Sequence, residues 1–152
     1  MISAFTIRVY GILMNDEKNI LVSDEIIRGQ FYTKFPGGGL ELGEGTIHCL
    51  IREFKEETGL DIQVQRHLYT TDFFMQSAFD ERDQVLSIYY LVDAENINSL
   101  KISQNKFDFS REQLNGLDQQ ENFRWIPWNL LNIDSVTLPI DKKVVQILKS
   151  EM

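Results

Sequence analysis

The strongest constraint on this chain lies at residues 36 to 60, where PGGGLELGEG runs directly into TIHCLIREFKEETGL. The first ten of these residues hold five of the nine glycines, so the stretch is expected to be a loop that visits backbone conformations closed to other residues. A helix is expected to begin near Thr46 as N-cap and to stop at Gly59 as the C′ residue. At about 100° per residue, Ile47, Leu50, Ile51 and Phe54 share one arc, which is expected to pack on a sheet. Glu53, Glu56 and Glu57 fall in the adjacent arc, beside that stripe instead of opposite it. Like charges three and four residues apart repel. On the residues alone, a solvated acidic face and a cation held by the three carboxylates both remain open.

Composition narrows the partners. The formal charge is -8 with a pI near 4.7, which argues against a broad electrostatic hold on duplex nucleic acid or an anionic membrane. A phosphate-bearing ligand therefore needs local positive charge. Bound Mg²⁺, Mn²⁺ or Ca²⁺, favoured by hard oxygen ligands, would supply it together with backbone amides of Gly37, Gly38 and Gly39 ahead of the helix. Such a site suits attack of water on phosphorus. Arg52 is placed to pair with Glu56 at i, i+4 and to fix its orientation. The single cysteine, Cys49, excludes an internal disulfide and is read as helix packing. The N-terminus shows no secretory pattern, and no run reaches the roughly 18 apolar residues of a membrane span. A cytoplasmic, single-domain protein covering 1–152 is expected.

Alternation and β-branched or aromatic enrichment mark 5–14 and 19–25 as strands, read as a hairpin about the turn at 15–18. Further strands are expected at 61–74, 84–94 and 122–128, the last ending at Pro127. The polar stretch 101–120 reads as a mobile or partly ordered loop. A C-terminal amphipathic helix has Ile140, Val144, Ile147 and Leu148 on its apolar side. The elements suggest a mixed α/β class, a mixed β-sheet packed between helices.

Gly38, five residues, Glu44, seven residues, then REFKEETGL resembles the complete signature of the Nudix hydrolases, Gly-x5-Glu-x7-Arg-Glu-U-x-Glu-Glu-x-Gly-U, with U a bulky aliphatic residue. Phe54 replaces the usual aliphatic residue, a matter of core packing. FPGGGLE upstream and NFRWIPWNLL downstream also resemble the family. The resemblance implies an α/β/α sandwich and a metal-dependent pyrophosphohydrolase that cleaves the diphosphate linkage of a nucleotide or nucleoside diphosphate derivative. It implies Glu53, Glu56 and Glu57 as ligands of Mg²⁺ or Mn²⁺, with the Gly38 carbonyl a further one. Arg52 would orient a catalytic glutamate, and Glu44 would be mostly structural or a distant metal contact. The general base varies in the family between Glu53 and a later glutamate; Glu121 is favoured here over Glu81 and Glu112. Many relatives are homodimers. The alternative is a noncatalytic Nudix-fold nucleotide sensor, which usually shows losses among those glutamates. ADP-ribose hydrolases often carry a Pro where this chain has Met75, and the diadenosine polyphosphate type a Tyr near Ser77 and Ala78, so the substrate stays open. His48 and His67 are read as bystanders. Tyr32, Phe35, Phe73 and Phe74 are read as core aromatics before base-stacking ones.

Overall fold

A computed structural model describes residues 1–116 and 119–152. The chain forms two compact units, Met1–Leu13 with Gly37–Ile97, and Met14–Pro36 with Asn98–Met152.

The first unit is a mixed sheet carrying one long helix. Its strands are β1 (Ala4–Leu13), β4 (Gly37–Gly39), β5 (Ile62–Thr70) and β6 (Asp83–Ala94), in the order β4-β1-β6-β5. β1 runs parallel to β6 and antiparallel to β4, while β5 and β6 are antiparallel. Helix α1 (Thr46–Thr58) packs on β1, β4 and β5. Its Phe54 is fully buried and lies so near β1 that a Cβ at Gly11 would stand 2.8 Å from the ring. The aromatic residue in place of an aliphatic one is thus matched by a missing side chain beneath it.

The second unit holds β2 (Asn19–Ile27), β3 (Gln30–Lys34) and β7 (Gln120–Pro127), antiparallel in the order β3-β2-β7. Helices α2 (Arg111–Leu114) and α3 (Pro139–Glu151) belong to it. The lead-in to α3 is tied to β3 by Thr137 N–H donating to the Thr33 carbonyl at 3.0 Å. The Thr33 N–H in turn donates to Thr137 Oγ1 at 2.8 Å. On α3, Ile140, Val144 and Leu148 are buried as expected, joined by Asp141 and Val145. Ile147 is only half-buried.

The expected hairpin of the first two strands is not what forms. The turn exists, with Asn15 N–H donating to the Asn19 carbonyl at 3.0 Å and a single bridge from Met14 to Ile20. Beyond it β1 pairs with β4 and β6, and β2 pairs with β3 and β7. The stretch from Lys101 is more structured than a mobile loop. Phe107 and Phe109 pack on Phe31, at 5.2 and 5.8 Å between ring centroids. α2 opens with a reciprocal capping box between Ser110 and Gln113. Leu117 and Asp118 lie outside the described residues. Strand β5 stops at Thr70, so Phe73 and Phe74 sit in an irregular segment and are exposed, against their reading as core; Phe35 is fully buried. No helix among the described residues is long and apolar enough to cross a membrane.

Candidate active site

Helix α1 starts one residue earlier than expected: Gly45 is the N-cap, with extended backbone and no side-chain cap. Thr46, expected as that cap, instead shares a 2.7 Å hydrogen bond between its Oγ1 and Tyr90 Oη, which ties the first turn to β6. At the other end Gly59 takes φ of 77° and donates its N–H to the Lys55 carbonyl, the left-handed cap that glycine adopts without strain.

The buried residues of α1 are Cys49, Leu50 and Phe54, whereas Ile47 and Ile51 are 44% and 36% exposed. The expected apolar stripe is therefore rotated. At about 100° per residue, Glu53 and Glu57 fall between Cys49 and Leu50 on the inward arc, and Glu56 lies at its rim. Glu53 and Glu57 are half-buried and Glu56 is exposed.

Arg52 organises these carboxylates. Its Nε donates to Glu44 Oε2 at 3.0 Å and its Nη2 to Glu44 Oε1 at 2.6 Å, the two-pronged pairing that a planar guanidinium makes with a carboxylate. Nη1 donates to Glu53 Oε1 at 2.9 Å and to Glu56 Oε2 at 3.3 Å, so the pairing with Glu56 expected at i, i+4 is present. Nη2 also donates to the Gly39 carbonyl at 3.2 Å, and Glu41 lies 3.8 Å away. Hydrogen bonding from Arg52, helped by the Glu41 N–H, holds the Glu44 carboxyl down from 4.5 to about 2. The same pairing with Glu44 raises the Arg52 guanidinium above its ordinary value. Glu44, read from sequence as a minor member, is the main partner of Arg52. Burial pushes the Cys49 thiol up to about 12, so it stays protonated as a packing residue.

The glycines expected as a loop form strand β4. Gly37 pairs across from Tyr10, Gly38 from Val9 and Gly39 from Arg8. Gly38 faces α1 so closely that a Cβ there would fall onto the Glu53 carboxylate. Among the described residues, no three His, Cys, Asp or Glu side chains converge on a common point. The donors present are carboxylate oxygens and the backbone oxygens of a bare strand, a hard set that fits Mg²⁺ or Mn²⁺.

The three general-base candidates lie apart in sequence and setting. Glu121, in the second unit, is half-buried on β7 and accepts from Ser23 Oγ at 3.3 Å. Glu81 lies exposed in the turn before β6, and Glu112 is exposed in the first turn of α2. His48 is exposed, and His67, exposed on β5, hydrogen-bonds Thr70 Oγ1 at 2.8 Å. The sequence reading missed Glu25 and Lys34, a buried pair at 3.4 Å across β2 and β3; charged residues inside otherwise strand-like runs, Glu25 beside Asp24 in β2 and Lys34 at the end of β3, were the available signal.

Comparison with known proteins agrees with this architecture. A NUDIX domain family model matches residues 4–143, running through both units. A curated relative, the ADP-ribose pyrophosphatase of Methanocaldococcus jannaschii, is 34% identical over 89 residues, covering 57% of this chain and 50% of that protein. The chain thus matches about half the length of that relative. A NUDIX hydrolase from Nitrosomonas europaea superposes with a TM-score of 0.67 at 16% identity, covering 96% of this chain and 89% of that one. The MutT protein from Methanosarcina mazei Go1 does so at 0.64 and 16%, covering 99% and 97%. A family match over nearly the whole chain, on a fold that carries the complete acidic helix, establishes that this protein belongs to the Nudix hydrolase family.

Proposed function

We propose that this protein is a divalent-cation-dependent pyrophosphohydrolase that splits the diphosphate linkage of a nucleoside diphosphate derivative. The observation that carries the reading is the charge balance around Arg52: one guanidinium lies within 3.8 Å of carboxylate oxygens from Glu41, Glu44, Glu53 and Glu56. Three negative charges remain uncompensated in that cluster. Like charges about 4 Å apart cost about 1 kcal/mol in water and about 4 kcal/mol at the effective dielectric of a protein surface. A cluster built this way, from the loop before α1 and from Glu53 and Glu56 on the helix itself, is suited to bind cations.

In this reading Glu53, Glu56 and Glu57, with the Gly38 carbonyl, hold Mg²⁺ or Mn²⁺, which neutralises phosphate oxygens and makes bound water more acidic. Arg52, anchored by Glu44, orients Glu53 and Glu56. Gly37, Gly38 and Gly39 leave room for the phosphate chain. Glu53, on the same helix as the other ligands, takes the proton from the attacking water. Water forms the new P–O bond, the anhydride bond breaks, and the products are a nucleoside monophosphate and a phosphorylated second group.

ADP-ribose is the first substrate to test because of the name carried by the Methanocaldococcus jannaschii relative; Met75, standing where ADP-ribose hydrolases often have Pro, keeps sugar nucleotides and dinucleotides in the panel. The reading includes a cytoplasmic location and a homodimer. Nucleoside triphosphates, sugar nucleotides, dinucleotides and ADP-ribose are incubated with the protein in Mg²⁺, Mn²⁺ or EDTA. Cation-dependent cleavage of at least one is expected. Turnover that survives EDTA, or cation binding with no cleavage of any substrate, overturns it, the latter in favour of a binding module.

A further inference from the structure

Arg8 is half-buried on β1, which pairs with β4 on one side and β6 on the other.

Strand alternation sets the direction of its side chain. Gly11 faces Phe54 of α1, so Val9 shares that face and Arg8 and Tyr10 point to the other. β4 repeats the alternation, Gly38 toward Glu53 and Gly39 toward Arg8, whose Nη1 lies 3.5 Å from where a Gly39 Cβ would be. The guanidinium is oriented: Nε donates to Tyr10 Oη at 3.0 Å, and Cζ lies 5.7 Å from the Tyr10 ring centroid, within cation–π range. Tyr10 is itself fixed, 6% exposed and packed on Tyr89 at 5.2 Å between centroids.

The glycine strand is an edge of its sheet and has no side chains. One residue apart, it has the acidic helix on one face and an oriented guanidinium on the other. We propose that Arg8 is a substrate-binding residue that takes an anionic oxygen of the nucleotide's diphosphate portion across the glycine strand from Glu53. The proposal rests on the pyrophosphohydrolase reading. A planar fork of donors matches phosphate oxygens, and partial burial limits screening by salt. In a chain of net charge -8, such a cation is the protein's own contribution to holding a polyanion.

The test measures equilibrium binding of a non-hydrolysable methylene-bridged ADP to parent, Arg8→Gln, Arg8→Lys and Tyr10→Phe, by calorimetry with Mg²⁺ and again in EDTA, with adenosine as the uncharged control. For Arg8→Gln, affinity for the analogue is expected to fall about 10- to 100-fold in both conditions. KM for the best substrate should rise by a similar factor while kcat changes less. Adenosine binding should not change. Tyr10→Phe, which keeps the charge and releases its orientation, is expected to lose a few-fold. Should Arg8→Gln not fold, Arg8→Lys carries the test, with a loss of several-fold because a point charge replaces the fork. Parent-like affinity in a folded Arg8 variant, or an equal loss for adenosine, overturns the proposal while leaving the pyrophosphohydrolase reading standing. A parent that binds no nucleotide and cleaves none overturns both.

Discussion

Three successive glycines should fail in three different ways when each is changed to alanine. At Gly37, φ is 155°, and an added Cβ would run into the Val9 carbonyl and the Tyr10 Cα. Those are backbone atoms that cannot step aside, so overpacking costs about 1–3 kcal/mol, or a fall in Tm of about 2–4 °C per kcal/mol for a chain of this size. At Gly38 the obstacle is the Glu53 carboxylate, the free end of a flexible side chain. Restoring ordinary contact of 3.4 Å or more displaces that carboxylate by about 1 Å, a shift able to cost on the order of 10²-fold in rate. The fold should hold, since the glutamate moves and the chain loses unfolded-state freedom. At Gly39 the nearest atom is Arg8 Nη1 at an ordinary 3.5 Å, so stability should change by less than about 0.5 kcal/mol; the methyl instead enters the space beside Arg8 assigned to the diphosphate, and KM should rise several-fold with kcat little changed. Thermal unfolding followed by circular dichroism, paired with Mg²⁺-dependent product release on the best substrate, gives both readings for each variant. A stable Gly38→Ala protein with parental kcat would refute the placement of Glu53 in the reaction.

Glu57→Gln keeps the size and helix preference of the side chain while removing a charge, and kcat is expected to fall by orders of magnitude with Tm nearly unchanged; near-normal turnover removes Glu57 from the ligand set. Arg52→Gln should lower kcat less, because Arg52 positions Glu53 and Glu56 without coordinating, and calorimetry should show weaker Mg²⁺ binding; parental kinetics and metal affinity together would exclude that role. Because Glu44 has a folded-state value held down to about 2 from 4.5, its contribution to stability is fully present above the unfolded value and is lost as pH falls through that window. Acid titration should therefore destabilise the parent more than Glu44→Gln between those limits, and parallel curves would contradict the pairing. Gly11→Ala should destabilise by about 1–3 kcal/mol by pressing on the Phe54 ring, and a Phe54→Leu background should relieve part of that cost; strictly additive effects in the double-mutant cycle would deny the contact.

Local chemistry made the elements readable but not their partners. Alternation marks 5–14 and 19–25 as strands whatever they pair with, and the turn between them does reverse the chain at Asn15. The parallel pairing of β1 with β6 depends on a crossover of some 70 residues, which no local pattern encodes. Within 101–120, the Ser110 and Gln113 capping box was present in the sequence as a local signal. The seating of Phe107 and Phe109 on Phe31 is a long-range contact that composition cannot reveal. The glutamates of α1 were legible as a motif, and the two-pronged pairing of Glu44 with Arg52 needed coordinates because seven residues lie between them.

The rotation of α1 shows why amphipathic periodicity misplaced its buried face. Burying what is left exposed of Ile47 and Ile51 would be worth roughly 0.5–1.3 kcal/mol each, yet they remain 44% and 36% exposed. Apolar burial alone would have centred the helix on them and turned Glu53 and Glu57 outward. The observed orientation is set by contacts that periodicity does not weigh: Phe54 against Gly11, Arg52 on Glu44 and the Gly39 carbonyl, and Thr46 on Tyr90. Hydrogen bonds involving charged groups contribute about 1.5–3 kcal/mol each, enough in combination to outweigh the burial forgone. The helix gives up part of its hydrophobic anchorage and gains inward-facing carboxylates, and Arg52 is the side chain through which that exchange is made.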